Sequence, residues 1–164
     1  MIGVKTAGGA ILFIDMRNDS CVITRKGNGS MMENALRKVE TDKAPAAIGP
    51  YSQAMVAGNF MFTSGQLPVS PETGEVPTEF EAQVKQVFEN LSHVLVAGGS
   101  SFNSVVKTLC FLQSMDDFAA FNDVYARYFK DHKPARSCVA VKTLPKNVLC
   151  EVEAVALIET SNCD

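Results

Sequence analysis

The chain has 164 residues, of which 46% are hydrophobic and 20% charged, and its formal net charge at pH 7 is −3. This size and composition are typical of one globular domain with a substantial core. The small acidic excess and the absence of any run of Lys or Arg argue against a dedicated nucleic-acid-binding protein, which normally carries a basic face or stripe.

The cysteines and histidines are few and scattered along the chain. They are Cys21, Cys110, Cys138, Cys150, Cys163, His93 and His132. An odd number of cysteines without a C-x-x-C pair predicts reduced thiols rather than a disulfide framework or a zinc site. Two distant histidines argue against a His-based metal site and against a hydrolase triad. We therefore expect a cytoplasmic protein, with a mitochondrial leader as the alternative that stays open.

The first part of the chain, residues 1–32, is predicted to be an extension that precedes a domain over 33–164. Within it, the apolar runs 11–14 and 21–24 flank a turn-like segment, a pattern typical of a β-hairpin. The glycine-rich segment 27–30 then indicates a flexible linker. A methionine pair directly after this linker suits an alternative start, so a genuine hairpin, a tag and a leader all stay open. No apolar stretch has the length needed to span a bilayer, so no membrane partner is expected.

The domain begins with a short strand, a loop, a hairpin around a glycine turn, and a second loop rich in Pro and Gly. These elements are predicted over 35–39, 43–50, 52–56 paired with 59–63, and 64–77.

The first long helix is predicted to start at Thr78. Thr78 and Glu81 match an S/T-x-x-E capping box directly after Pro77. Apolar residues then recur at helical spacing, which indicates that one helix face packs on a core. The Gly98-Gly99 pair is expected to end this helix, because glycine adopts the left-handed C-cap conformation without strain.

A strand is predicted over 105–112, followed by a second helix that Asp116 or Asp117 could cap and that Pro134 ends. Two more strands, 136–141 and 149–158, flank a turn at 144–147. Five or six strands with two long helices predict an α+β fold with both helices on one face of the sheet.

The segment Pro134-Ala135-Arg136-Ser137-Cys138 places an arginine at the start of a strand. Since side chains alternate along a strand, Arg136 and Cys138 share one face and Val139 and Val141 the other. We expect the valines to face the helices and Arg136 to face solvent, a cleft or a partner chain. A guanidinium there could bind a substrate carboxylate through two parallel hydrogen bonds, or it could be a surface group paired with a glutamate.

Glu151 and Glu153 share one face of the last strand. If that strand adjoins the strand of Arg136, a carboxylate and the guanidinium share a surface. The carboxylate could then orient or deprotonate a water, or it could simply form an ion pair.

Several other residues are weaker candidates on their own. Asn122 lies within the aromatic arc of the second helix and needs a specific hydrogen-bond partner if buried, for which a backbone group is the simplest choice. Tyr51 could place a phenol over a pocket or belong to the core. Ser64 and Gly65 end a strand where glycine permits close approach of a ligand. Cys138 could be a nucleophile, but a small wall residue is the favoured interpretation.

Taken together, these segments resemble the RidA (YjgF-type) family of reactive-intermediate deaminases. The matching stretches are 44–53 (APAAIGPYSQ), 63–69 (TSGQLPV), 73–77 (TGEVP), 121–125 (FNDVY), 134–138 (PARSC), 144–146 (LPK) and 151–156 (EVEAVA). They keep the family's order and nearly its spacing over most of the chain, whereas the N-terminal extension lies outside the resemblance.

The resemblance implies a chorismate-mutase-like fold assembled as a homotrimer with three clefts between subunits. It implies hydrolysis of small carboxylate-bearing enamines and imines, such as 2-aminoacrylate and 2-iminopropanoate, to 2-keto acids and ammonia, with neither a metal nor an organic cofactor. It assigns carboxylate binding to Arg136, the water-holding acid to Glu151 and an aromatic pocket position to Tyr51. The implied pocket-lining residues are Ser64, Gly65, Asn122 and Cys138.

Two alternatives from other functional classes stay open. One is a translation-inhibiting endoribonuclease, against which the net charge of −3 and the lack of a histidine pair both count. The other is a non-catalytic sensor of small carboxylates, against which the joint presence of Arg136 and Glu151 counts.

Overall fold

The computed structural model describes the three strands Ile2–Lys5, Ile11–Asp15 and Val22–Lys26 together with residues 36–159. Contacts divide the chain into two units, Met1–Glu33 and Asn34–Asp164. The predicted glycine-rich linker lies outside the described residues. In the first unit the three strands, β1 to β3 in chain order, form an antiparallel sheet with β2 in the middle.

The second unit is built on a mixed sheet of six strands and two α-helices, as the sequence predicted for the fold class. The strands are β4 (Arg37–Val39), β5 (Ala54–Ala57), β6 (Phe60–Thr63), β7 (Val105–Leu112), β8 (Ala135–Ala140) and β9 (Cys150–Leu157). The helices are α1 (Phe80–Gly98) and α2 (Phe118–Phe129). The strand order is β4-β5-β6-β9-β7-β8, in which only the β7–β8 pair is parallel.

Both helices cover the same face of the sheet, which confirms that part of the prediction. The reason is visible along β9, where Cys150, Val152, Ala154 and Ala156 are buried and the residues between them are half-exposed. These alternate side chains meet the apolar stripe of α1, whose fully buried members include Phe88. The hydrophobic core therefore lies entirely between the helices and one face of the sheet.

Helix α1 ends as predicted but does not begin as predicted. Gly99 adopts the left-handed conformation, φ 86° and ψ 38°, and its N–H donates to carbonyls of the last turn. At the other end the helix starts at Phe80 and its N-cap residue, Glu79, makes no side-chain cap. The predicted capping box at Thr78 is therefore wrong. Instead, the Gln83 amide donates to the Pro77 carbonyl at 2.8 Å and ties the helix start to the preceding loop.

The cap of α2 also differs from the prediction. Asp117 occupies the N-cap position without a side-chain hydrogen bond, and the preceding short 3₁₀ turn is capped by the Ser114 hydroxyl, which accepts from the Asp116 N–H at 3.1 Å. The helix ends at Phe129, before Pro134, because Lys130 takes a positive φ of 45°. A serine that begins a 3₁₀ turn thus performs the role assigned to the aspartates.

The face of the sheet away from the helices is partly open and carries several exposed apolar side chains. The exposed fractions on this face are 43% for Phe60, 48% for Phe62, 48% for Val139 and 42% for Leu157. Phe60 pairs with Leu157 and Phe62 with Val155 across β6 and β9, so these four side chains form a continuous patch. An exposed apolar surface of this kind is typical of an interface with another chain. Among the described helices, none combines the length and the apolar character required to cross a membrane.

We predict that Gly98→Ala lowers the free energy of unfolding by about 1–2 kcal/mol, since overpacking of a core outweighs the gain in helix propensity. A Cβ built at Gly98 would overlap Sδ of the fully buried Met61 and lie 3.1 Å from its Cε. Urea denaturation measures the loss. The double variant Gly98→Ala/Met61→Ala should lose less stability than the sum of the losses in the two single variants, because the overlap is then removed. A loss equal to that sum would contradict the proposed contact.

Candidate functional site

Four of the candidate residues surround one cavity, which lies where β6 ends and β9 begins. This cavity has a volume of about 650 Å³. Its walls include Tyr51, Ser64, Gly65 and Glu151, and also Pro45, Ile48, Leu67, Val69, Pro145 and Lys146. The first four residues are called the carboxylate half-site below. Most of the wall is apolar, and the acidic group in it is the Glu151 carboxyl.

The glycine at position 65 is required by the position of the Glu151 side chain. A Cβ built on Gly65 would overlap Oε1 of Glu151 and lie 2.7 Å from its Cδ. The loop that contains Gly65 is held against β9 by two backbone hydrogen bonds between Gln66 and Val152. The Gln66 N–H donates to the Val152 carbonyl at 2.8 Å, and the Val152 N–H donates to the Gln66 carbonyl at 3.3 Å. The Ser64 hydroxyl donates to the Ser52 carbonyl at 2.6 Å and fixes the preceding turn. The carboxyl of Glu151 therefore lies directly over the backbone of the loop.

Glu151 has an electrostatic environment suited to proton transfer. Its burial raises the pKa of the carboxyl above the usual value of 4.5, and the negative charge of Glu153 raises this pKa further. A carboxyl group with a raised pKa is a stronger base when ionised, and a larger fraction of it is protonated near neutral pH. Glu151 can thus accept and donate a proton nearer to neutral pH than an exposed glutamate can.

Arg136 lies in a second cluster, on β8 and against helix α2. Its Nη1 donates to Oδ1 of Asn122 at 2.7 Å. Its guanidinium carbon lies 4.6 Å from the centre of the Tyr125 ring and 5.5 Å from that of Phe118. Arg136, Asn122 and Cys138 are called the arginine half-site below.

No acidic side chain pairs with Arg136 within residues 36–159. The alternative of a surface arginine paired with a glutamate is therefore wrong for this part of the chain. The amide of Asn122 finds its partner in a side chain, whereas the sequence favoured a backbone group. A half-buried guanidinium with a neutral partner keeps its full charge and most of its five N–H donors, so the cluster is able to bind an anion.

The predicted orientation of the Arg136 strand is wrong. Arg136 pairs with Thr108 and Cys138 with Cys110 across the parallel β7–β8 ladder. Thr108 and Cys110 are buried beneath the helices, so Arg136 and Cys138 point to the helix side. The valine expected to pack on the helices, Val139, lies instead on the open face. Alternation fixed which residues share a face, but not which face the helices cover.

Cys138 borders the core next to Arg136 and packs against buried residues. Its burial raises the pKa of the thiol, and the charge of Arg136 opposes this rise. A thiol with a raised pKa is mostly protonated and is a poor nucleophile. This agrees with the favoured interpretation of Cys138 as a wall residue. Cys110 and Cys150 are buried more deeply, and burial raises the pKa of each to about 12.

The two half-sites lie on opposite faces of the sheet in one chain. Glu151 pairs with Phe111 on β7, and Phe111 pairs with Val139 on β8. These three residues share the open face, whereas Arg136 lies on the helix face. In addition, β7 separates β9 from β8, so the condition that the two strands adjoin is not met. The structure brings Tyr51, Ser64, Gly65 and Glu151 together and, separately, Asn122, Arg136 and Cys138.

Two contributors to these clusters were not singled out from the sequence. Tyr125 supports the Arg136 guanidinium, and its position one turn after Asn122 on the same helix face could have signalled this. Lys146 lines the cavity in a left-handed conformation with φ 57°; its presence in the L-P-K stretch was the available signal. Among the described residues, no group of three or more His, Cys, Asp or Glu side chains is placed to hold a metal ion.

Comparison with known proteins identifies relatives over most of the second unit. A family model described as Endoribonuclease L-PSP matches residues 41–158. A RutC family protein of Pyrococcus horikoshii is 52% identical over 120 residues, which are 73% of this chain and 95% of that protein. The 2-iminobutanoate/2-iminopropanoate deaminase of Escherichia coli K12 is 45% identical over 124 residues, 74% of this chain and 97% of that protein. The crystal structure of E. coli TdcF with bound serine superposes with a TM-score of 0.72 at 43% identity and covers 75% of this chain and 99% of that one.

We predict that Glu153→Gln lowers the pKa of Glu151 but leaves it above 4.5, because the substitution removes the like charge and not the burial. A ¹³C NMR titration of the side-chain carboxyls measures this shift. The exposed Glu89 on α1 offers a matched control, since Glu89→Gln should leave the Glu151 titration unchanged. An identical Glu151 pKa in wild type and Glu153→Gln would contradict the assigned cause.

Proposed function

We propose that this chain hydrolyses reactive 2-imino acids and their enamine tautomers. The products are 2-keto acids and ammonia. The chain belongs to the Endoribonuclease L-PSP family, which contains the RidA (YjgF-type) proteins. The observation that carries the proposal is the half-buried Arg136 guanidinium, which has only neutral partners among the described residues. A substrate carboxylate supplies the missing anion.

The substrate carboxylate binds to the free N–H groups of Arg136. Asn122 occupies one donor on Nη1, so the remaining donors can form a two-point contact with a carboxylate. A charge-assisted pair of this kind fixes both the position and the rotation of a planar substrate. The imine carbon is thereby held at a set distance from the arginine, as positioning of a reactive group requires.

We propose that the complete cleft forms between two copies of the chain. The arginine and carboxylate half-sites face opposite sides of the sheet in one copy, so one substrate cannot touch both within a single chain. A second copy can supply the missing half. The exposed apolar face with Phe62 and Val139 supports burial of this side by neighbouring subunits. This agrees with the chorismate-mutase-like homotrimer that the family resemblance implies.

In the reaction, Glu151 moves protons while water attacks the carbon of the protonated imine. The ionised carboxylate takes a proton from the attacking water as the C–O bond forms, which gives a neutral carbinolamine. The protonated carboxyl then returns this proton to the nitrogen. Collapse of the carbinolamine breaks the C–N bond and releases ammonia, while the hydroxyl proton passes to Glu151 and on to ammonia, giving ammonium. The raised pKa of Glu151 suits a group that both accepts and donates a proton.

The proposed reaction uses only water, Arg136 and Glu151, and requires no cofactor. A protonated imine is already electrophilic, so positioning and one proton acceptor could together provide useful acceleration. We further propose a cytoplasmic location. It rests on the scattered cysteines, of which Cys110, Cys138 and Cys150 are free thiols in the described part of the chain.

The endoribonuclease activity in the family's description finds less support in this chain. Its net charge is −3. His93 contacts the Lys43 carbonyl and His132 the Val105 carbonyl, each at 2.6 Å. Neither imidazole belongs to one of the two half-sites.

We predict that the wild-type protein accelerates keto-acid release when a threonine dehydratase generates the imine in the assay. Arg136→Ala should lower kcat/KM by about 10²-fold or more, because it removes the charged partner of the substrate carboxylate. The exposed Arg127 on α2 gives a matched control, and Arg127→Ala should keep nearly full activity.

Wild-type protein that releases keto acid no faster than buffer would contradict the deaminase proposal. Full activity of Arg136→Ala would contradict the carboxylate-binding role of Arg136 but not the deaminase proposal. RNA cleavage that follows the protein through column fractions and persists in Arg136→Ala would favour the endoribonuclease instead.

A further inference from the structure

We propose that Tyr125 is a positioning residue that sets the direction of the Arg136 guanidinium and thereby the affinity for the substrate carboxylate. This inference rests on the proposed function and adds a determinant of substrate binding to it. It concerns a residue that need not touch the substrate.

The ring of Tyr125 lies against the guanidinium, with 4.6 Å between the ring centre and the guanidinium carbon. At this separation a cation is attracted to the face of an aromatic ring, by more where solvent is partly excluded. Arg136 and Tyr125 are both half-buried. The contact therefore restrains the guanidinium over the ring without adding a charged partner, and most of its N–H donors have no hydrogen-bond partner among the described residues.

The Tyr125 ring is itself fixed, both at its hydroxyl and by stacking. Its hydroxyl lies 3.0 Å from Oγ1 of Thr108, a fully buried residue of β7. Thr108 is also the register partner of Arg136 on β8. At its other face the ring stacks on Phe129, with 4.4 Å between ring centres. Tyr125 thus reaches from α2 to the strand that adjoins Arg136, and it has little freedom to turn.

Together, Tyr125 and Asn122 restrain the guanidinium without neutralising its charge. The Tyr125 ring lies against the guanidinium carbon, and Asn122 accepts one hydrogen bond from Nη1. A glutamate in either position would restrain Arg136 equally well but would compete with the substrate carboxylate. Neutral restraint keeps the positive charge available for the substrate, and preorganisation lowers the entropy lost on binding.

We expect Tyr125→Leu to raise KM by about tenfold through loss of the ring–cation contact, with kcat changed by less than about threefold because Glu151 is untouched. Tyr125→Phe keeps the ring and loses only the Thr108 contact, so its KM should stay within about threefold of wild type. Replacement of Tyr125 by mono-, di- and trifluorinated phenylalanine keeps the ring's shape while weakening its negative face. Log KM should then rise steadily with each added fluorine.

Tyr128→Leu is the matched control for damage to the aromatic core. Tyr128 lies on the same helix and stacks on Phe88, with 4.8 Å between ring centres, but Arg136 makes its ring contacts with Phe118 and Tyr125. A purely structural effect would lower the active fraction and hence kcat at constant KM, in both leucine variants. An increase in KM that appears in Tyr125→Leu and along the fluorinated series, but not in Tyr128→Leu, supports the positioning role.

The two proposals fail in different ways. An inactive wild type contradicts the deaminase, and calorimetric titration with pyruvate as the carboxylate probe then still tests Tyr125. A Kd for pyruvate that rises about tenfold in Tyr125→Leu and by steps along the fluorinated series supports the positioning role. The positioning role would be overturned if active wild type, Tyr125→Leu and fluorinated variants all had the same KM. It would also be overturned if they bound pyruvate with equal affinity, or if wild type did not bind pyruvate.

Discussion

The properties of the candidate site depend on one arginine that is restrained by neutral groups. Asn122 accepts a hydrogen bond from Arg136 at 2.7 Å, and the rings of Tyr125 and Phe118 face its guanidinium. A partly buried cation without an acidic neighbour is unfavourable unless an anion binds. The same arrangement prevents competition from an internal carboxylate. The fold thus holds a charge in a fixed direction and leaves its neutralisation to a ligand.

The alternation of side chains across a sheet places the two half-sites on opposite sides of one chain. Paired residues on neighbouring strands share a face, so Glu151, Phe111 and Val139 lie on one side and Arg136 on the other. The helices cover the arginine side, whereas the carboxylate side is open and carries exposed apolar side chains. Assembly of several copies would bury this open face and would bring a carboxylate half-site to an arginine half-site. On this account, activity and assembly are inseparable.

Local patterns predicted most of the fold but not the arrangement of the site. The helical spacing of apolar residues predicted both helices, and the Gly98-Gly99 pair predicted where the first one ends. These features depend on residues that are neighbours in the sequence. The orientation of β8 was predicted wrongly, since alternation alone does not reveal which face the helices cover. The partner of Asn122 and the contact of Tyr125 with Arg136 depend on how α2 packs on the sheet. Such contacts are set by tertiary structure, and residue spacing indicates only that Asn122 and Tyr125 share a helix face.

The central claim is that Arg136 and Glu151 act on one substrate from two different copies of the chain. Co-expression of Arg136→Ala chains with Glu151→Gln chains tests it directly, because each variant retains the half that the other lacks. Each variant alone should be nearly inactive. Random assembly of equal amounts into trimers should restore about one quarter of the wild-type activity, the fraction of clefts that receive both intact halves. Mixed assemblies as inactive as their parents would contradict the account.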